Sequence, residues 1–128
     1  MTIELSLLAW TVALAILQVV VASVGGMTQF PLPDLVGNRE PPLDGRGWVG
    51  RAQRAHRNML ESLPLFAALV LVAQAAGISN STTILGAQLF FYARVAYAIV
   101  YVAGIPWLRT IIWTAGLVGL LMILSQLL

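Results

Sequence analysis

Two stretches of this chain, Leu5 to Val24 and Thr110 to Leu128, contain no charged residue. Each matches the roughly 20 apolar residues that cross a bilayer as a helix. Segments of that length and composition have no polar face to turn to water. In hydrocarbon they must satisfy every backbone N–H and C=O internally, which a helix does. The rest of the chain agrees, with 59% hydrophobic and 9% charged residues among 128, against about 25% charged in soluble domains. A soluble fold is excluded, and an all-α integral membrane protein is expected. No Lys or Arg precedes the apolar N-terminal run, only the acidic Glu4, and the run is too long for the core of a secretory signal, so it is read as a retained first span.

The charges divide the chain further. Nine of the twelve charged residues fall between Asp34 and Glu61; only Glu4, Arg94 and Arg109 lie outside. A first span is expected over about 3–24, stopped by Gly25-Gly26. A polar loop over 25–49 follows, rich in proline and glycine and expected to be turns and extended chain. The second span covers about 50–76. No charge occurs between Glu61 and Arg94, and that interval is too long for one crossing, so a turn is placed at Gly77 to Thr82. The third and fourth spans cover about 83–103 and 107–125, separated by Gly104-Ile105-Pro106. The result is a single domain, 1–128, forming a four-helix transmembrane bundle with sequential antiparallel neighbours. All basic residues are arginine, and six of the seven sit in or beside loops 25–49 and 104–108. The positive-inside rule therefore puts both loops in the cytoplasm and both termini outside. The basic excess is local, so no nucleic-acid partner is implied. The absence of cysteine and the single histidine, His56, leave no reason to expect a metal.

The second span carries a polar stripe. With Arg54 at zero and 100° per residue, Arg51 falls at about +60°, Arg57 at about −60°, Asn58 at about +40° and Glu61 at about −20°. Guanidinium binds carboxylate bidentately, so arginines beside an amide and a carboxylate suit a ligand with several carboxylates and an amine. The competing reading for Arg51 and Arg57 is a juxtamembrane cluster meeting lipid phosphates. Asn58 and Glu61 have no such attraction. His56 falls near 200°, away from the stripe. Pro64 removes one backbone donor just beyond Glu61, where the helix is expected to bend.

In the third span, Arg94 lies about nine residues from the helix end, where an unpaired charge costs roughly 2.5–3.5 kcal/mol. Glu61 is the carboxylate at comparable depth and is the expected partner. Tyr97 and Tyr101 fall within about 60° of Arg94 and extend its stripe, although an interfacial aromatic belt explains two tyrosines equally well. Arg109 sits at the mouth of the same compartment. Ala9 with Ala13, and Gly116 with Gly119, are small pairs that allow helices to approach closely in an assembly. There is no phosphate-binding glycine loop, no nucleophilic triad, and no carboxylate deep in the first span, which disfavours a small exporter.

The run Arg54-Ala55-His56-Arg57-Asn58-Met59-Leu60-Glu61-Ser62-Leu63-Pro64-Leu65-Phe66 resembles the second-helix signature of the MAPEG family, the membrane-associated proteins in eicosanoid and glutathione metabolism. Ala93-Arg94-Val95-Ala96-Tyr97-Ala98-Ile99-Val100-Tyr101 and Ile105-Pro106-Trp107-Leu108-Arg109-Thr110 resemble its third helix and the turn into the fourth. Gly37-Asn38-Arg39-Glu40 and the neighbouring prolines resemble the bacterial branch, which implies a bacterial inner membrane. The resemblance implies a homotrimer of four-helix subunits with glutathione as co-substrate at the subunit interfaces. It matches Arg54, Asn58, Glu61, Tyr97 and Tyr101 to glutathione contacts, Arg94 to a buried structural or binding arginine, and Arg109 to the arginine that stabilises the glutathione thiolate. Arg51, from the stripe, is added to the candidate glutathione contacts. The expected activity is a glutathione-dependent transferase or peroxidase acting on a lipophilic small molecule that arrives through the membrane lipids. The alternative is a non-catalytic lipid-binding or scaffolding member.

Overall fold

The computed structural model describes all 128 residues and is entirely helical: α1 (Ile3–Gln29), α2 (Leu32–Val36), α3 (Trp48–Ala76), α4 (Ser81–Ala103) and α5 (Pro106–Leu127). All but α2 are long and apolar enough to cross a membrane. Burial runs opposite to that of a soluble bundle. Trp10, Ile16, Leu71, Leu85, Ile111 and Leu121 are exposed, whereas Glu4, Thr11, Thr83 and Arg94 are buried. Hydrocarbon is a good solvent for the former and a poor one for the latter, so the polar groups turn inward.

α1 does not stop at Gly25-Gly26 but continues for another turn to Gln29. Both glycines are buried, and a Cβ on Gly25 would lie 3.0 Å from the Trp48 ring and 3.1 Å from Val49. The pair therefore makes room for the start of α3, and the helix keeps its backbone bonds through it. The stop comes at Phe30, whose N–H donates to the Gly26 carbonyl over 2.9 Å, before Pro31. The loop that follows contains a helical turn, α2, where turns and extended chain were expected; Pro33 at its start supplies a φ preset for helix. Two glutamines pin the remaining loop. Gln29 donates to the Arg46 carbonyl over 2.9 Å and accepts from the Arg46 N–H over 2.7 Å, and Gln53 accepts from the Gly45 N–H over 2.8 Å.

At the other end of the bundle, Gly77 in a left-handed conformation closes α3 and Asn80 opens α4 with a capping box through Thr83. Glu4 lies against this turn. Its carboxylate accepts from Thr83 Oγ1 at 2.7 Å and Ser79 Oγ at 2.9 Å, so a charge at the edge of the first span ties the start of α1 to the start of α4. The apolar core lies in this half, around Leu7, Phe66, Val70, Phe90 and Ile123, with Phe66 and Phe90 stacked at 4.3 Å between centroids. α4 and α5 pack backbone to backbone. A Cβ on Gly119 would stand 2.6 Å from the Gly86 carbonyl oxygen, and one on Gly116 would touch Ala93 at 3.5 Å. The expected use of Gly116 and Gly119 between subunits is thus replaced by a contact inside the chain. The half of the bundle opposite Glu4, where Val49, Ala55 and Met59 are buried, carries most of the arginines.

Candidate functional site

α3 runs unbroken through Pro64 and holds its polar stripe along one face, as the 3.6-residue period requires. Arg54, Arg57, Asn58 and Glu61 line one wall of a cleft of about 340 Å³, and Tyr97 and Tyr101 of α4 line the other. The arginines and Glu61 are exposed, Asn58 and Tyr101 half-buried, and Tyr97 buried. The tyrosine rings meet edge to face, 5.4 Å between centroids.

Arg94 is 3% exposed and does not pair with Glu61. Its Nη1 donates to Asn58 Oδ1 over 2.8 Å, while Nε and Nη2 have no partner. Its guanidinium lies 4.5 Å from the Tyr97 ring centroid, where the negative face of the ring favours a cation. The correction has a geometric basis. Asn58 and Glu61 are three residues apart on one face of α3, so the two are neighbours and either can meet a long arginine arriving from α4. The amide takes that place, and the Glu61 carboxylate stays free on the surface of the cleft.

Arg109, at the start of α5, sits with its guanidinium 4.5 Å from the Tyr101 centroid. Arg94, Tyr97, Tyr101 and Arg109 thus form a row of cation, ring, ring and cation along α4 into α5, which places Arg109 against Tyr101 but outside the lining of the cleft. Arg51 lies elsewhere. Its Nε donates to the Val102 carbonyl over 2.9 Å, and its guanidinium covers Gly104, the left-handed residue that ends α4. A cation on carbonyls at a helix C-terminus is a cap, and it takes Arg51 off the lining of the cleft. His56 faces another hollow, beside Ser23, Gly26 and Phe30, which shares Arg57 with the first cleft.

A second cleft of about 290 Å³ adjoins the first and shares Asn58 and Glu61 with it. Arg94 and Ser62 reach its floor, and Leu65, Phe90, Trp113, Leu117 and Leu120 form apolar walls. None of those walls was singled out from the sequence. Trp113, Leu117 and Leu120 recur at helical spacing, but α5 is apolar on every side, so periodicity does not separate a lining residue from one facing lipid.

The two clefts together can hold a small polyionic molecule, through guanidiniums, an amide, phenols and a free carboxylate, next to an apolar one. No curated protein matches the chain. The sequence profile of the MAPEG family matches residues 7–128, which include almost all of the four spans and every residue of both clefts, and the chain belongs to the MAPEG family.

Proposed function

We propose that this membrane protein binds glutathione in the cleft of Arg54, Arg57, Asn58, Glu61, Tyr97 and Tyr101 and directs its sulfur at a lipophilic electrophile in the apolar cleft beside it. MAPEG proteins carry out glutathione-linked transferase and peroxidase reactions at membranes, and membership supports that class of activity here. The observation that carries the finer reading is the shared wall. Asn58 and Glu61 border both the polar and the apolar cleft, so the two ligands would lie side by side against the same pair of residues.

Glutathione has two carboxylates, an amine and a thiol. Arg54 and Arg57 suit the carboxylates, and the unpaired Glu61 suits the amine. Arg109, held on the Tyr101 ring, is the residue we assign to the sulfur, because a nearby guanidinium favours the thiolate over the thiol and the thiolate is the nucleophile. In transfer, the sulfur bonds to an electrophilic carbon, and the leaving group departs with the bonding pair. In peroxide reduction, the thiolate attacks the terminal peroxide oxygen, the O–O bond breaks and the alkoxide leaves and takes a proton as the alcohol; a second glutathione thiolate then attacks the resulting sulfenic sulfur, forming the disulfide and releasing water.

Arg54, Arg57 and Glu61 are exposed in the single chain, which fits a homotrimer in which a neighbouring subunit closes the glutathione site. Positive-inside placement puts this end in the cytoplasm, with a bacterial inner membrane as the setting. Isothermal titration of the detergent-solubilised protein tests the reading. Glutathione is expected to bind in the micromolar to millimolar range, and Glu61→Gln to weaken it about tenfold, as for one lost charge-assisted contact. No detectable binding at millimolar glutathione sinks the reading and favours a lipid-binding scaffold.

A further inference from the structure

A groove of about 530 Å³ between α1, α3 and α4 shares no residue with either cleft, and ten of its eleven lining residues are apolar. Leu14, Leu17 and Val21 form one bank, Ile99 the other, and Ala55 and Ala98 leave the hollow between them. The eleventh residue is Gln18. It is 9% exposed, and its carboxamide oxygen is buried without a hydrogen-bond partner. A carboxamide surrounded by hydrocarbon is unfavourable until something bonds to it, and turning the amide over exchanges its oxygen and nitrogen. Gln18 is therefore able to meet either a donor or an acceptor brought into the groove.

Depth narrows the class of ligand. Gln18 is seven residues, roughly 10 Å along the helix, in from Gly25, where α1 meets the start of α3, and so lies inside a hydrocarbon layer about 30 Å thick. Phospholipid headgroups stay at the interface, so the matching polar group must belong to a molecule that dissolves in the bilayer core. The groove has no charged residue, which rules against an ionised ligand. A hydroxyl meets these conditions, because it donates and accepts through one small group. We propose that this groove binds an apolar alcohol from the bilayer, with its hydroxyl on the Gln18 carboxamide and its hydrocarbon body between α1 and α4.

The test uses the protein in phosphatidylcholine nanodiscs and a diazirine derivative of hexadecanol as a photoreactive probe. Label is expected on residues 14–21 and 95–103. Hexadecanol should compete about tenfold better than hexadecane, the discrimination expected of one hydrogen bond. Gln18→Leu, which makes the groove wholly apolar, should retain the fold and glutathione affinity and remove that preference. Equal competition by hexadecane, or a preference that survives Gln18→Leu, overturns the proposal. So does the other candidate occupant. The chain has no cysteine, so Ile99→Cys introduces a single thiol on the bank, and its disulfide cross-linking to a second copy would put another subunit over the groove.

Discussion

Asn58→Ala removes the one hydrogen-bond partner that the buried Arg94 guanidinium has, the Asn58 Oδ1 at 2.8 Å. Two of the guanidinium's nitrogens are already unpaired, so the variant leaves a charge facing a hydrocarbon-lined bundle with only the Tyr97 ring against it. A hydrogen bond to a charged group contributes about 1.5–3 kcal/mol, and stranding the charge places the cost toward the upper end. We expect a loss of about 2–3 kcal/mol, measured by SDS titration of unfolding in mixed micelles without glutathione. Arg94→Met should be close to neutral or stabilising, because replacing a poorly compensated buried charge by an apolar side chain of similar length removes a desolvation penalty. The decisive measurement is the double variant. With Arg94 gone, Asn58→Ala should cost no more than about 0.5 kcal/mol, giving a coupling of about 2 kcal/mol, well above that of independent sites. If Asn58→Ala costs the same in both backgrounds, Asn58 stabilises α3 by another route. If it costs nothing in either, Arg94 has a partner other than Asn58, and Glu61→Gln should then become destabilising.

Three further outcomes are expected. Arg51→Met removes a cap from the end of α4 and should lower stability by about 1 kcal/mol while leaving glutathione affinity within about twofold; a large loss of affinity at unchanged stability would return Arg51 to the binding site. Arg109→Gln should move the ultraviolet thiolate signal of bound glutathione to higher pH, since loss of the cation disfavours the anion, and lower kcat more than it raises KM; an unmoved titration removes Arg109 from the sulfur. Gly119→Leu forces apart backbones that nearly touch at Gly86 and should destabilise by about 1–3 kcal/mol or more; a neutral result in the SDS titration would refute the close α4–α5 contact.

The four spans were legible in the sequence because hydrocarbon imposes a requirement that acts along the chain. A segment must be about 20 residues long, predominantly apolar and internally hydrogen-bonded, and length and composition can be counted residue by residue. The shared face of Arg54, Asn58 and Glu61 was legible for a similar reason, since the helical period alone sets which side chains stand together. Gly25-Gly26 was misread because a glycine pair has the same local cost at a helix end as inside a packed helix. Only the arrival of Trp48 against Gly25 shows which use applies. Gly116 and Gly119 carry the same ambiguity, and Gly86 of the neighbouring helix resolves it.

Partner choice was outside the reach of any one-dimensional rule. Depth along the helices made Glu61 and Asn58 comparable partners for Arg94, and the rotation of α4 against α3 selected the amide. Arg51 belongs to the polar stripe by angle, yet the end of α4 approaches it closely enough to claim its guanidinium as a cap. Glu4 looked like an edge residue until the turn at Ser79 and Thr83 folded over it. The sequence alone determined that the chain lives in a membrane, how often it crosses, and which α3 side chains share a face, because those follow from the solvent and from helical geometry. The tertiary structure decided which of those side chains are already paired and which remain free for a ligand, because pairing depends on distances of about 3 Å between helices that are far apart in the chain.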